Sequence, residues 1–137
     1  PDTAGRIMTP EYISIRANLT ANEAQERIRH LAQDREVAYY VYVTDNDELV
    51  GVVSVRELLN AENDEQVGSL MNPDPVSVSM SDSVGDAARQ IRATQHVVLP
   101  VINTNREYIG IVRATDVIQA LDEKTTKQLL RSSWPWI

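Results

Sequence analysis

The chain has 137 residues, a formal net charge of −7 and 42% hydrophobic residues, enough to bury the core of one compact domain or of two small ones. It has no cysteine, which excludes a disulfide framework and any thiolate metal site, and no phenylalanine, so its core rests on Val, Ile, Leu and Tyr. Residues 1–69 hold 13 acids and 6 bases while residues 70–137 hold 7 of each, an acidic first half that argues against nucleic acid as a partner and leaves cations open.

Taken in order, residues 1–10 predict a short helical lead-in stopped by Pro10. Tyr12-Ile-Ser-Ile15 alternates as a short strand. Thr20 and Glu23 have the spacing of a capping box. The helix it opens sets Ala24, Ile28 and Leu31 on one face and Glu26, Arg27 and Arg29 on the other. Residues 39–54 read as strand, turn, strand, with Asp45, Asn46 and Asp47 supplying a turn that accepts unusual backbone angles. Leu58 and Leu59 belong to the next helix, and residues 60–68 are polar and acidic.

The second half repeats this plan. Ile7-Met-Thr-Pro10 returns as Leu70-Met-Asn-Pro73, and the Thr20 box returns at Ser83 and Asp86, both at an offset of 63. Gly51, Val53, Glu57, Leu58 and Leu59 return as Gly110, Val112, Asp116, Val117 and Ile118 at an offset of 59. The first copy therefore carries four extra residues, expected between Leu31 and Ala38, the slippage in a loop that a duplication should show. This divides the chain into a first unit at 1–60, an acidic linker at 61–69, a second unit at 70–121 and a connecting helix with the start of a membrane-proximal segment at 122–137. Helical spacing of Val117, Ile118, Leu121, Thr125 and Leu129 carries that helix to about Arg131. Lys124, Lys127 and Arg131 followed by Trp134 and Trp136 leave two readings open, the cytoplasmic mouth of a membrane helix or a cationic helix C-terminus. No signal peptide or membrane-length apolar run is present, and a chain that opens on Pro1 reads as a piece of something longer.

Little in the sequence suggests catalysis. His30 and His96 occupy unrelated positions in the two copies, neither near a nucleophile or a second ligand, and no glycine run cradles a phosphate. An enzyme is not expected.

The duplicated pattern, with Leu99-Pro-Val-Ile102 and Gly110-Ile-Val-x-x-Thr-Asp116 as its most specific pieces, resembles the cystathionine β-synthase-type (CBS) domain pair from about Gly5 to Leu121. The resemblance implies an α/β (α+β) fold in which two βαββα units pack as a pseudo-twofold pair, continued by an extended C-terminal helix. It also implies clefts that in many CBS pairs take ATP, ADP or AMP. There a hydroxyl after the glycine turn meets phosphate, and an acid three residues on holds the ribose. Ser54 and Glu57 fill these places in the first copy, Arg113 and Asp116 in the second. Glu57 reaches one methylene further than the usual Asp, and Arg113 replaces the hydroxyl, leaving open whether its fork pairs with phosphate or blocks the cleft.

Residues 2–12, 28–34 and 39–45 sharpen the resemblance to the CBS module of MgtE-type magnesium transporters. That family implies a cytosolic, non-catalytic sensor on the inner side of the membrane, joined by its last helix to a transmembrane pore and compacted by Mg²⁺. It also implies a homodimer formed through the helices of the pairs. An adenine-nucleotide sensor for another channel or enzyme, or a purely structural dimerisation module, are the rival readings. Candidate Mg²⁺ ligands are Asp45, Asp47 and Glu48 in the turn, Glu57, Glu62 and Asp64 near the linker, and Asp122 and Glu123 in the last helix. Two departures stand against the family pattern. Its acidic helical domain upstream is not among these residues, and Lys124 and Lys127 stand where its connecting helix is acid-rich.

Overall fold

The computed structural model describes residues 2–10, 13–31 and 40–122. The four-residue insertion expected before Ala38, Glu123 and the Lys124 to Trp136 cluster lie outside the described residues. In chain order the elements are α1 (Ala4–Ile7), β1 (Thr9–Pro10), β2 (Ser14–Arg16), α2 (Ala21–Leu31), β3 (Tyr40–Asp45), β4 (Glu48–Ser54), α3 (Val55–Asn60), α4 (Val67–Leu70), β5 (Asn72–Pro73), β6 (Val78–Ser79), α5 (Val84–Thr94), β7 (Val98–Ile102) and β8 (Tyr108–Arg113). Residues 114–122 form a further helix. The βαββα order therefore occurs twice, as β2-α2-β3-β4-α3 and as β6-α5-β7-β8 with helix 114–122.

The two compact units are not the two halves of the sequence. One holds Glu11–Val76 with Thr104–Tyr108, the other Pro1–Pro10, Ser77–Asn103 and Ile109–Ile137. The sheets explain why: each copy's lead-in closes the sheet of the other copy. The strand orders are β2-β3-β4-β5 and β1-β8-β7-β6. Pro73 lies opposite Gly51 and Asn72 opposite Val52, while Pro10 lies opposite Gly110 and Thr9 opposite Ile111. The register is the same in both sheets. Proline is tolerated here because each lead-in strand is an edge, where a missing N–H breaks no ladder.

In the first-copy unit, α2 opens on the expected box: the Thr20 N–H donates to Glu23 Oε1 at 3.0 Å and the Glu23 N–H to Thr20 Oγ1 at 3.2 Å. These bonds, from the Thr20 backbone first, hold the Glu23 carboxyl below its ordinary pKa. Asn46 and Asp47 join β3 to β4 with φ of 50° and 68°, the left-handed pair that matches strand twist in a two-residue hairpin. Ile15, Ala24, Ile28, Val41, Val43, Val53 and Leu58 fill the core. The stretch expected as a linker is partly folded: Val67 is fully buried, its N–H donates to Leu19 O at 2.8 Å, and Gly68 N donates to Ala17 O at 2.9 Å. Tyr42, only 8% exposed, packs against Tyr108 with the ring centroids 5.4 Å apart and the rings tilted by 48°.

In the second-copy unit the core is Ala4, Val78, Val84, Ala87, Leu99, Val101, Val112, Val117 and Ala120. Repeat partners share their burial: Leu58 and Val117 are buried at 0% and 3%, Leu59 and Ile118 exposed at 65% and 58%. One local expectation is corrected. Ser83 Oγ accepts from the Asp86 N–H at 3.1 Å, but the shorter Asp86 carboxylate turns to Arg89, so α5 has half of a capping box.

Two outcomes follow. A Cβ on Gly110 would sit 2.6 Å from the Thr9 carbonyl oxygen, whereas one on Gly51 would first meet the movable Met71 thioether. Gly110→Ala should cost about 1–3 kcal/mol in a denaturant melt, and more than Gly51→Ala. Burial pushes the Tyr42 hydroxyl from 10.0 up to about 12. The folded chain then keeps a proton the unfolded chain has lost, so this stability is complete below the unfolded pKa and drains as pH rises towards 12. A phenolate absorbance titration should show a late step that Tyr42→Phe removes.

Candidate functional site

The residues singled out for nucleotide contact all lie where a strand passes into a helix, and there the two copies differ. At the start of α3, Ser54 and Glu57 satisfy each other. The Glu57 N–H donates to Ser54 Oγ at 3.0 Å, and the Ser54 N–H donates to Glu57 Oε1 at 3.1 Å. The extra methylene of Glu57 lets it curl back onto its own helix start. Its carboxylate is a cap first.

At the start of helix 114–122 only half of this arrangement survives. The Arg113 N–H donates to Asp116 Oδ2 at 3.1 Å, but Arg113 has no oxygen to return to the Asp116 amide. Its guanidinium instead crosses to the lead-in strand, where Nη2 donates to Thr9 Oγ1 at 2.8 Å. Arg113 Nε lies 3.6 Å from Asp116 Oδ2, an ion-pair distance; it is buried and makes no hydrogen bond. The Arg113 side chain is still 43% exposed. This edge brings a planar cation, a carboxylate with one oxygen engaged and a helix N-terminus together, groups suited to a phosphate and a diol. Sequence reasoning found Arg113 and Asp116 but missed Thr9, because nothing in residues 1–10 tells which strand they will join.

The acidic candidates do not converge. Asp45, Asp47 and Glu48 are exposed around the β3–β4 turn, where Glu48 pairs with Arg106 at 3.5 Å. Glu62 and Asp64 are exposed, and the Glu62 N–H donates to Glu65 Oε1 at 3.2 Å. Asp122 is exposed in helix 114–122, and Glu123 lies outside the described residues. Among the described residues no three His, Cys, Asp or Glu side chains could together hold a metal ion. The described acids thus form no closed Mg²⁺ cage. The compact unit Glu11–Val76 with Thr104–Tyr108 carries 14 acids and 6 bases, net −8, against 6 acids and 7 bases, net +1, in the other.

This duplicated fold places the protein in a known class. The CBS domain family matches residues 4–64 and 67–123, and the chain belongs to that family as a tandem pair. It is 36% identical to the magnesium transporter MgtE of Thermus thermophilus over 129 residues, 93% of this chain and 29% of that protein. It is likewise 36% identical to MgtE of Enterococcus faecalis, over 90% of this chain and 27% of the relative. The chain thus spans under a third of the length of these relatives. The crystal structure of the cytosolic domain of the Mg²⁺ channel MgtE in complex with ATP superposes with a TM-score of 0.80 at 37% identity, covering 87% of this chain and 48% of that one. CBSX2 in complex with AMP superposes at 0.70 with 28% identity, covering 91% and 99%. No helix among the described residues is long and apolar enough to cross a membrane.

Removing the complete cap should be felt in one copy. Ser54→Ala is expected to cost about 1 kcal/mol in a denaturant melt. Glu57→Gln, which keeps an acceptor for the Ser54 amide, should cost less.

Proposed function

We propose that this chain is the cytosolic, non-catalytic sensing module of an MgtE-like magnesium transporter. Its compact form is favoured by Mg²⁺, and its last helix passes the difference to a pore domain of the same polypeptide. The observation that carries this reading is the 36% identity to MgtE across 93% of the chain, together with the fold of the MgtE cytosolic domain. The net charge of −8 in the first-copy unit supports a loosely held, hydrated cation that relieves repulsion. The outward-facing Leu59 and Ile118, equivalent positions 65% and 58% exposed, support association of two copies through these helices.

A second reading concerns the same module. Adenine-nucleotide binding is favoured by Arg113 and Asp116 at one helix start, and by the ATP held by the MgtE relative. The two readings separate in a thermal-shift titration of this chain with Mg²⁺, with Ca²⁺ as a control, and with metal-free ATP. The magnesium reading expects Tm to rise as Mg²⁺ passes through the millimolar range, more than with Ca²⁺. A flat response to Mg²⁺ contradicts it. A rise with metal-free ATP that Arg113→Ala abolishes makes the module a nucleotide sensor.

A further inference from the structure

The departure at Arg113 has a structural counterpart. In the first copy the helix start is self-contained, because Ser54 and Glu57 exchange both cap hydrogen bonds. In the second copy the cap oxygen is gone, and the residue in its place reaches to Thr9, 104 positions away in sequence. Thr9 belongs to β1, which is held against β8 through Thr9–Ile111 and Pro10–Gly110. The same segment is tied further along, where Ala4 N donates to Asp82 O at 2.8 Å and Gly5 N to Met80 O at 2.9 Å. Lead-in and last helix thus belong to one compact unit, although they stand at opposite ends of the described chain.

We infer that Arg113 is a clasp: a positioning residue that joins the lead-in strand, through Thr9, to the first turn of helix 114–122, so that the two segments loosen and tighten together. The geometry gives each bond a separate task. The Arg113 backbone N–H fixes Asp116 at the third position of the helix. The guanidinium faces that same carboxylate at 3.6 Å and donates to Thr9 at 2.8 Å. A displacement of the lead-in therefore pulls on the side chain whose own backbone starts the helix. The first copy has no such tie, since its cap bonds run only within residues 54–57. The module would then receive a load at its N-terminal side and deliver it to the last helix through one sheet, without leaving that compact unit. A ligand that drew the Arg113 fork away from Thr9 would act on the same joint.

The test is amide hydrogen exchange across the whole chain, comparing peptides that cover residues 4–10 and 114–122 with those that cover α5, which belongs to the same compact unit. Thr9→Val keeps the shape of the side chain but removes the hydroxyl, and Thr9→Ser keeps the hydroxyl. Thr9→Val should speed exchange about fivefold in both the lead-in and helix 114–122, leave α5 unchanged, and be rescued by Thr9→Ser. Arg113→Lys, which loses the planar fork, should reproduce the effect, and the double substitution should add nothing further. Acceleration confined to residues 4–10 would overturn the clasp. So would a uniform acceleration that includes α5, the mark of simple destabilisation of the unit.

Discussion

The structure depends on two short strands that close sheets not their own. Thr9 and Pro10 are the edge of the second copy's sheet, and Asn72 and Pro73 are the edge of the first copy's. Each is only two residues long and contributes few hydrogen bonds. What fixes it is the glycine opposite: a side chain at Gly110 would run into the Thr9 carbonyl, and one at Gly51 into Met71. The glycine lets the backbones approach, proline ends the pairing, and a methionine thioether packs beside each glycine. This arrangement makes the compact units differ from the sequence copies. It also concentrates the acidic residues into one unit at net −8, a sharper asymmetry than the two halves of the sequence hold.

Much of the fold was legible because its determinants are local. The Thr20–Glu23 box, the Asn46–Asp47 turn and the aromatic and β-branched residues that flank it are written within a few residues of where they act. The duplication then carried each assignment to the other copy, and the burial of Leu58 with Val117 and exposure of Leu59 with Ile118 agree with it. The pairing partner of the lead-in was not legible. β4 and β8 offer a glycine in the same register, so both edges suit the Met-x-Pro segment equally well on local grounds. Connectivity and packing decide between them, and neither is a short-range property.

The site was legible by residue type and less so by role. Ser54, Glu57, Arg113 and Asp116 were found at the strand-to-helix junctions where they were expected. At these junctions the acids serve as caps, and Asp86 turns to Arg89 instead of closing its box. A motif gives the spacing of a carboxylate, but one methylene decides whether it closes on its own helix. The acidic turn and linker were visible as charge, yet their side chains fan into solvent around backbone turns and do not gather. A charge pattern predicts a field. Ligand geometry needs the tertiary fold.

The exchange of lead-ins is the claim on which the rest stands, and the absence of cysteine from the chain makes it directly testable. Two double variants should be oxidised and compared as monomers, one pairing Thr9→Cys with Ile111→Cys and the other pairing Thr9→Cys with Val52→Cys. Thr9 faces Ile111 in the observed register, whereas Val52 is the residue that Asn72, the repeat partner of Thr9, faces. The account predicts an intramolecular disulfide in the first pair and none in the second. Efficient closure of the second pair, with the first remaining reduced, would show that each copy keeps its own lead-in and would contradict it.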